Sequence, residues 1–303
     1  MKRVAAIDCG TNSVRLLISD ISDDSGMSDV TRQMRIVRLG EGVDQTGRLA
    51  PAAIERTRVA LAEYAKDIAE AGVDAARMVA TSASRDAENA ADFRAMVFDT
   101  LGFVPEVITG DEEARLSFAG AVRGLTAEAP FLVVDIGGGS TEFVVGSAEV
   151  DAAISVDIGC VRMTERHLRA DPPTPDQVAA AEADITAAVD MALAAVDGTR
   201  ARTLVGLAGS VTTVAALALG LPEYDPKRIH RSTITAADVA KVTAGLLAES
   251  AAKRLEHPVM HPGRADVIGA GALILRIIVE RSGADSVIAS ESDILDGIAL
   301  SLA

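Results

Sequence analysis

Two short segments each join an apolar run, a terminal acid and a polar turn able to receive anions. Asp8-Cys9-Gly10-Thr11-Asn12-Ser13 follows Val4–Ile7, and Asp135-Ile136-Gly137-Gly138-Gly139-Ser140 follows Leu132–Val134. Gly137, Gly138 and Gly139 let the backbone bend so that consecutive N–H groups point into one concavity, a nest for anions. Ser140 and Thr141 add hydroxyl donors there. The first turn offers Thr11, Asn12 and Ser13, and Arg15 beyond it has the bidentate geometry that suits phosphate. Either turn alone could be a plain structural hairpin; two matching turns, each introduced by an apolar strand ending in Asp, point to phosphate chemistry.

A third Gly-rich segment, Gly206 to Thr213, passes from a strand into a helix. The free N–H groups of Gly209 and Ser210 there, with the Thr212 hydroxyl, could bind phosphate, and an ordinary N-cap at Ser210 is the alternative. Acids beside such turns make sense when a cation intervenes. Asp8, Asp135 and Glu142 are therefore candidate ligands for Mg²⁺ (or Mn²⁺), which needs only one or two carboxylates besides waters and substrate oxygens. Asp111, Glu112 and Glu113 open a predicted helix, where acids also serve the helix dipole. Adjacent helical positions diverge by about 100°, so Glu112 and Glu113 face different directions. Among basic residues, Arg85 follows a strand and Arg264 lies far along the chain; both are candidate phosphate ligands. His257 and His261 are four apart, but Pro258 and Pro262 argue against a helical metal site, and both read as loop residues.

The elements that must carry these groups repeat. Laid on the N-terminus at an offset of 127 residues, Asp135, Gly137 and Ser140 match Asp8, Gly10 and Ser13, each in a strand–turn–strand context, which suggests a duplicated α/β domain. In the first half strands are predicted at Val4–Ile7, Val14–Ile18, Asp29–Leu39, Met78–Ala80 and Val104–Ile108. Helices are predicted from Pro51 to a stop at Gly72, around Phe93–Leu101 before Gly102, and over Glu112–Val122. In the second half strands fall at Leu132–Val134, Phe143–Val145, Ala153–Val156, Thr203–Leu207 and Val287–Ala289. Helices follow Pro175 and Ser210 and span Ala236–Leu247, Ala265–Arg281 and Ile294–Leu302. Alternating strands and helices predict sheets covered by helices.

Composition limits the partners. The 303 residues are 49% apolar and 24% charged, which is globular, and only 3% aromatic with no Trp. No aromatic cluster could stack bases, and a net charge of −15 repels long polyanions, so nucleic acid is not the expected partner. A local set of Arg and N–H groups still suffices for phosphate within a Debye length of about 8 Å. Two isolated cysteines fit a reducing, cytoplasmic setting. The apolar stretch after Lys2 and Arg3 ends at Asp8, too short for a signal peptide, and Asp266 and Arg276 interrupt the one near 265–279, so no membrane association is expected.

Taken together, the chain resembles the exopolyphosphatase/guanosine pentaphosphate phosphohydrolase family, in its short two-domain form. The resemblance runs nearly end to end. It is carried by Asp8 through Arg15, Thr81-Ser82-Ala83-Ser84-Arg85, Gly110 through Arg115, Asp135 through Glu142, Asp157 through Arg162, Gly206 through Thr213 and Gly263-Arg264-Ala265-Asp266. The extra C-terminal helical domains of long members have no counterpart. The resemblance implies two actin-like (ribonuclease H-like) α/β domains with an interdomain cleft, residues 1–123 plus 292–303 and residues 124–291. It implies Glu113 as the acid that activates the attacking water, and Asp135 and Glu142 as acids acting through metal and water positioning. It implies release of terminal orthophosphate from inorganic polyphosphate or guanosine pentaphosphate, and a homodimer. An ATP-using kinase of the same superfamily and a non-catalytic nucleotide or polyphosphate sensor remain the competing readings.

Overall fold

The computed structural model describes residues 1–22 and 26–303. It divides into two compact units, Met1–Gly120 with Ile294–Ala303, and Ala121–Asp293. The first break falls within the last turn of the helix ending at Val122, whereas the sequence reading divided the chain at 123 and 291.

Unit 1 starts with β1 (Lys2–Cys9), β2 (Ser13–Ser22) and β3 (Gly26–Ile36), an antiparallel meander. After α1 (Val43–Thr46) and α2 (Pro51–Ala71) the chain returns as β4 (Ala75–Ala80) parallel to β1. Then come α3 (Ser82–Asp86), α4 (Ala90–Leu101), β5 (Glu106–Val107) and α5 (Gly110–Val122). The sheet order is β3-β2-β1-β4-β5. Gly72 and Gly102 end α2 and α4 in the left-handed region, at φ 62° and 80°, which a residue without Cβ adopts cheaply. The predicted strand over 104–108 contracts to two residues, because Pro105 has no N–H for the ladder. Arg85, which follows β4 as the sequence suggests, lies in the last turn of the short helix α3.

Unit 2 repeats the plan. β6 (Phe131–Ile136), β7 (Thr141–Gly146) and β8 (Val150–Val156) form the meander. After α6 (Cys160–Arg166) and α7 (Pro175–Val196), β9 (Thr203–Leu207) pairs parallel to β6. Then follow α8 (Ala208–Ala218), α9 (Pro226–Ile229), β10 (Thr233–Thr235), α10 (Ala236–Ala248), α11 (Ala251–Arg254), α12 (Ile268–Ser282) and β11 (Ser286–Ala289). The order β8-β7-β6-β9-β11 matches β3-β2-β1-β4-β5 position for position, with β10 added at the edge beside β11. A three-strand meander continued by parallel strands, present twice, is the actin-like (ribonuclease H-like) arrangement. The helix predicted from Ala265 starts at Ile268, because Pro262–Arg264 is a 3-10 turn.

Both sheets are covered by helices. In unit 1, Leu61 and Tyr64 of α2 and Phe93 and Val97 of α4 pack on Ile7, Val14 and Leu16. The Tyr64 hydroxyl donates to the Val14 carbonyl at 3.0 Å. On the other face, Val4, Ala6 and Leu17 meet Ile294, Leu295 and Ile298 of α13 (Ile294–Leu300), so the chain's last helix completes the first unit's core. The main core of unit 2 holds Val134, Phe143, Ile185, Val211, Leu273 and Ile277, with a small second cluster of Cys160, Val161 and Val267. Among the described residues no helix is long and apolar enough to cross a membrane.

Candidate active site

In unit 1 the β1–β2 register sets Asp8 directly opposite Arg15. Opposed residues share a face, and the Arg15 guanidinium donates to Asp8 Oδ2 from Nε at 3.0 Å and from Nη2 at 2.8 Å. Asp8, proposed from the sequence for metal, and Arg15, proposed for phosphate, thus neutralise each other here. The turn is closed by Gly10 N–H donating to the Ser13 carbonyl at 3.0 Å. Its carbonyls are held from behind: Thr11 O accepts from Gly40 N, and Asn12 O accepts from Val37 N and Arg38 N, at 2.9–3.0 Å. A Cβ on Gly40 would lie 2.3 Å from Thr11 Cγ2, so a side chain there would displace the support.

α3 and α5 bring Arg85 to Glu113. Arg85 Nη1 donates to Glu113 Oε2 at 3.2 Å and to the Ile108 carbonyl at 3.1 Å. Glu113 is buried. Its neighbour Glu112 is half-exposed and takes a 2.7 Å bond from Arg77, while Asp111 pairs with Arg115. The three acids at the start of α5 therefore separate into two surface ion pairs and one buried carboxylate.

Unit 2 builds the same turn. Gly137 N–H donates to the Ser140 carbonyl at 3.0 Å. Gly137 O accepts from Cys160 N, Gly138 O from Val161 N and Arg162 N, and Gly139 O from Arg162 Nε at 2.7 Å. With its carbonyls turned onto the first turn of α6, the loop leaves the N–H groups of Gly138 and Gly139 without a protein acceptor among the described residues, the arrangement an anion nest needs. Gly159 makes this possible, since a Cβ there would fall 2.3 Å from Gly138 O and 2.5 Å from Gly139 N. The Thr141 hydroxyl, expected to donate to phosphate, instead gives its proton to Ile158 O at 2.5 Å.

The cross-strand pair differs in kind. Asp135 stands opposite Glu142, two carboxylates on one face, both buried. Glu142 Oε1 accepts from Ser155 Oγ at 2.7 Å. Among the described residues no three His, Cys, Asp or Glu side chains are grouped to hold a metal ion. An oxygen-ligand pair is what Mg²⁺ takes from a protein when substrate oxygens and waters fill the remaining positions.

At the third segment, Ala208 has φ +66°, a left-handed backbone unusual for a residue with Cβ, at the start of α8. Gly209 lies under the guanidinium of Arg264: an added Cβ would be 2.1 Å from Arg264 Cζ. Arg264 Nη1 reaches Gly209 O at 3.4 Å. Ser210 packs against Gly271 of α12. Tyr224 Oη lies 2.7 Å from both Thr212 Oγ1 and Glu291 Oε1. A phenol has one proton and the carboxylate is the stronger acceptor, so Thr212 gives its proton to Tyr224. The hydroxyl that the sequence offers to phosphate is committed in this arrangement.

Sequence reasoning missed Gly40, Gly159, Arg162, Ser155, Tyr224 and Glu291. Their bonds to the site and to one another span 12 to 67 positions, beyond local pattern; the one available signal was that Gly159 and Arg162 lie inside the matched segment Asp157–Arg162.

A family model described as the Ppx/GppA phosphatase family matches residues 17–303. The chain belongs to this family. The Ppx/GppA chain is 52% identical to exopolyphosphatase 2 of Mycobacterium tuberculosis, over 100% of this chain and 99% of that one. Among solved structures it is similar to an exopolyphosphatase-like protein at 45% identity, with TM-score 0.96 and coverage of 99% and 98%. It is also similar to the Ppx/GppA member from Aquifex aeolicus at 35% identity, with TM-score 0.82 and coverage of 99% and 97%.

Proposed function

We propose that this member of the family is an exopolyphosphatase that cleaves the terminal phosphoanhydride of inorganic polyphosphate and releases orthophosphate. The observation that carries the reading is the loop 137–140: the carbonyls of Gly137, Gly138 and Gly139 are held by α6, the N–H groups of Gly138 and Gly139 are open, and two buried carboxylates stand at its base. The family relationship supports the same reading.

In the proposed reaction the N–H groups of Gly138 and Gly139 receive non-bridging oxygens, with the Arg264 guanidinium over α8 as a further cation. Asp135 and Glu142 would hold Mg²⁺ (or Mn²⁺), which when bound neutralises phosphate charge. Water attacks the terminal phosphorus, the bridging P–O bond breaks, and the shortened chain leaves with the bridging oxygen. Glu113 orients the water and accepts its proton; Arg85 fixes that carboxylate in place. Positioning matters more than basicity here, because a loose phosphoryl transition state bonds the nucleophile only weakly.

Phosphate release from tripolyphosphate, long polyphosphate, guanosine pentaphosphate and ATP, with and without chelator, tests this. The proposal expects the polyphosphates to be turned over and chelator to stop the reaction. Exclusive turnover of guanosine pentaphosphate would move the assignment to the family's other substrate, and full activity in chelator would remove the cation. A homodimer and a cytoplasmic location belong to the same reading and are checked by sedimentation and by cell fractionation.

A further inference from the structure

Unit 2 has a cavity of about 370 Å³ away from the Gly-rich turns, lined by the second half of α6, the 168–173 loop, α11 and the start of α12. At its wall lies Arg254, 3% exposed. Its Nε donates to the Leu246 carbonyl at 2.7 Å, and Nη1 donates to Ala265 O at 2.9 Å. Nη2 donates to no protein acceptor, and no carboxylate lies within ion-pair distance of the guanidinium among the described residues. That nitrogen stands beside Gly269, where a Cβ would come to 3.3 Å from it, so the glycine keeps the approach from the cavity open. A buried charge without a close counter-charge is costly. Burial weakens this guanidinium's hold on its proton, and Asp171, Glu249 and Asp266 oppose that from a distance.

The remaining walls define what fits. Glu165, Asp171 and Asp266 line the cavity with Arg169 and Arg254, so its formal charge is already slightly negative, and a dianion would meet net repulsion. Leu168, Ala170, Pro173 and Ala251 supply apolar surface. A neutral ligand carrying both charges satisfies both sets of walls. We propose that this cavity binds a small zwitterion, an α-amino acid with an apolar side chain, its carboxylate on Arg254 and its ammonium facing Asp171 and Asp266. The site touches the phosphate turn's supports: Thr164 and Glu165 follow in the helix whose first turn holds the Gly137 and Gly138 carbonyls, and Asp266 is two residues from Arg264.

Calorimetric titration of the full chain with a panel of α-amino acids, acetate and orthophosphate tests the proposal. At least one apolar amino acid should bind with Kd below about 1 mM. Asp171→Asn, on the exposed rim, and Arg254→Lys should each weaken it at least about tenfold. Asp171→Asn should leave phosphate release from tripolyphosphate unchanged, which keeps this result separate from the catalytic reading. The proposal is overturned if no amino acid binds up to about 10 mM, if Asp171→Asn binds as the parent does, or if acetate or orthophosphate binds as tightly as the amino acid.

Discussion

The two hairpins share a backbone and differ in the charge of the residue set opposite the strand-end aspartate. Both turns close with the same 3.0 Å bond, Gly10 to Ser13 and Gly137 to Ser140, and both rest on a glycine whose Cβ would lie 2.3 Å from the turn. Across the strands, unit 1 sets Asp8 against Arg15 and unit 2 sets Asp135 against Glu142. The first pair cancels its own charge. The second concentrates two negative charges on a buried face, which is favourable only with a cation or proton beside it. One scaffold thus yields a self-neutralised turn and a turn with two buried carboxylates at its base, the pair proposed above to hold a cation.

The largest effect should come from the supporting glycines, and it should be unequal. Gly159→Ala drives a methyl into the backbone of Gly138 and Gly139, which cannot yield without opening the loop. It should abolish phosphate release and destabilise the fold by about 3 kcal/mol. Gly40→Ala meets only the Thr11 side chain, which can shift, so activity should be reduced rather than lost. Equal activity in both variants would mean that the turns do not differ in function.

Next is the acid assignment. Glu113→Gln should lower kcat at least about a hundredfold with the fold intact. Glu112→Gln should stay near the parent, since Glu112 is half-exposed and paired with Arg77. Single-turnover rates with tripolyphosphate distinguish them, and the reverse order would reassign the role.

The third effect probes the cross-strand pairs. Glu142→Gln should raise the Mg²⁺ concentration for half-activity about tenfold or more. Arg15→Met should leave that concentration unchanged and instead destabilise the protein by about 1–3 kcal/mol, because it breaks a largely buried ion pair. Metal titration and urea denaturation of each variant separate the two outcomes.

These contrasts also mark what the sequence could reveal. The hairpins, the duplication and the long helices were legible because each is local: Gly72 and Gly102 stop helices, Pro175 opens one, and Asp8 and Asp135 end apolar runs. The partners of the site were not. Asp8 opposing Arg15 follows from register, which an isolated strand does not state. The commitment of Thr141 to Ile158 and of Thr212 to Tyr224 depends on side-chain direction. Gly159 looks like any loop glycine until α6 is docked against 137–139. Arg85 was legible as a basic residue near a strand end, but its bond to Glu113 needed α3 and α5 in place.

The smallest effect concerns pH. His261 Nδ1 accepts from Gly263 N–H at 3.0 Å and so caps the 3-10 turn that carries Arg264. Burial first, and the Arg264 charge second, hold its pKa below the ordinary 6.5. The unfolded chain therefore binds this proton more readily than the folded one, and the stability tied to the neutral imidazole is present above about pH 6.5 and declines as pH falls toward the folded value. Protonation turns Nδ1 into a donor, so the cap is lost and a second positive charge appears beside Arg264. The side chain is only partly buried, which keeps the effect small. KM for tripolyphosphate should rise about two- to threefold between pH 7.5 and 5.5 as the Arg264 turn loosens. His261→Asn retains an oxygen acceptor for Gly263 and has nothing to titrate, so it should remove that part of the pH dependence while matching the parent at pH 7.5. An unchanged KM profile in His261→Asn would show that the cap does not communicate with Arg264.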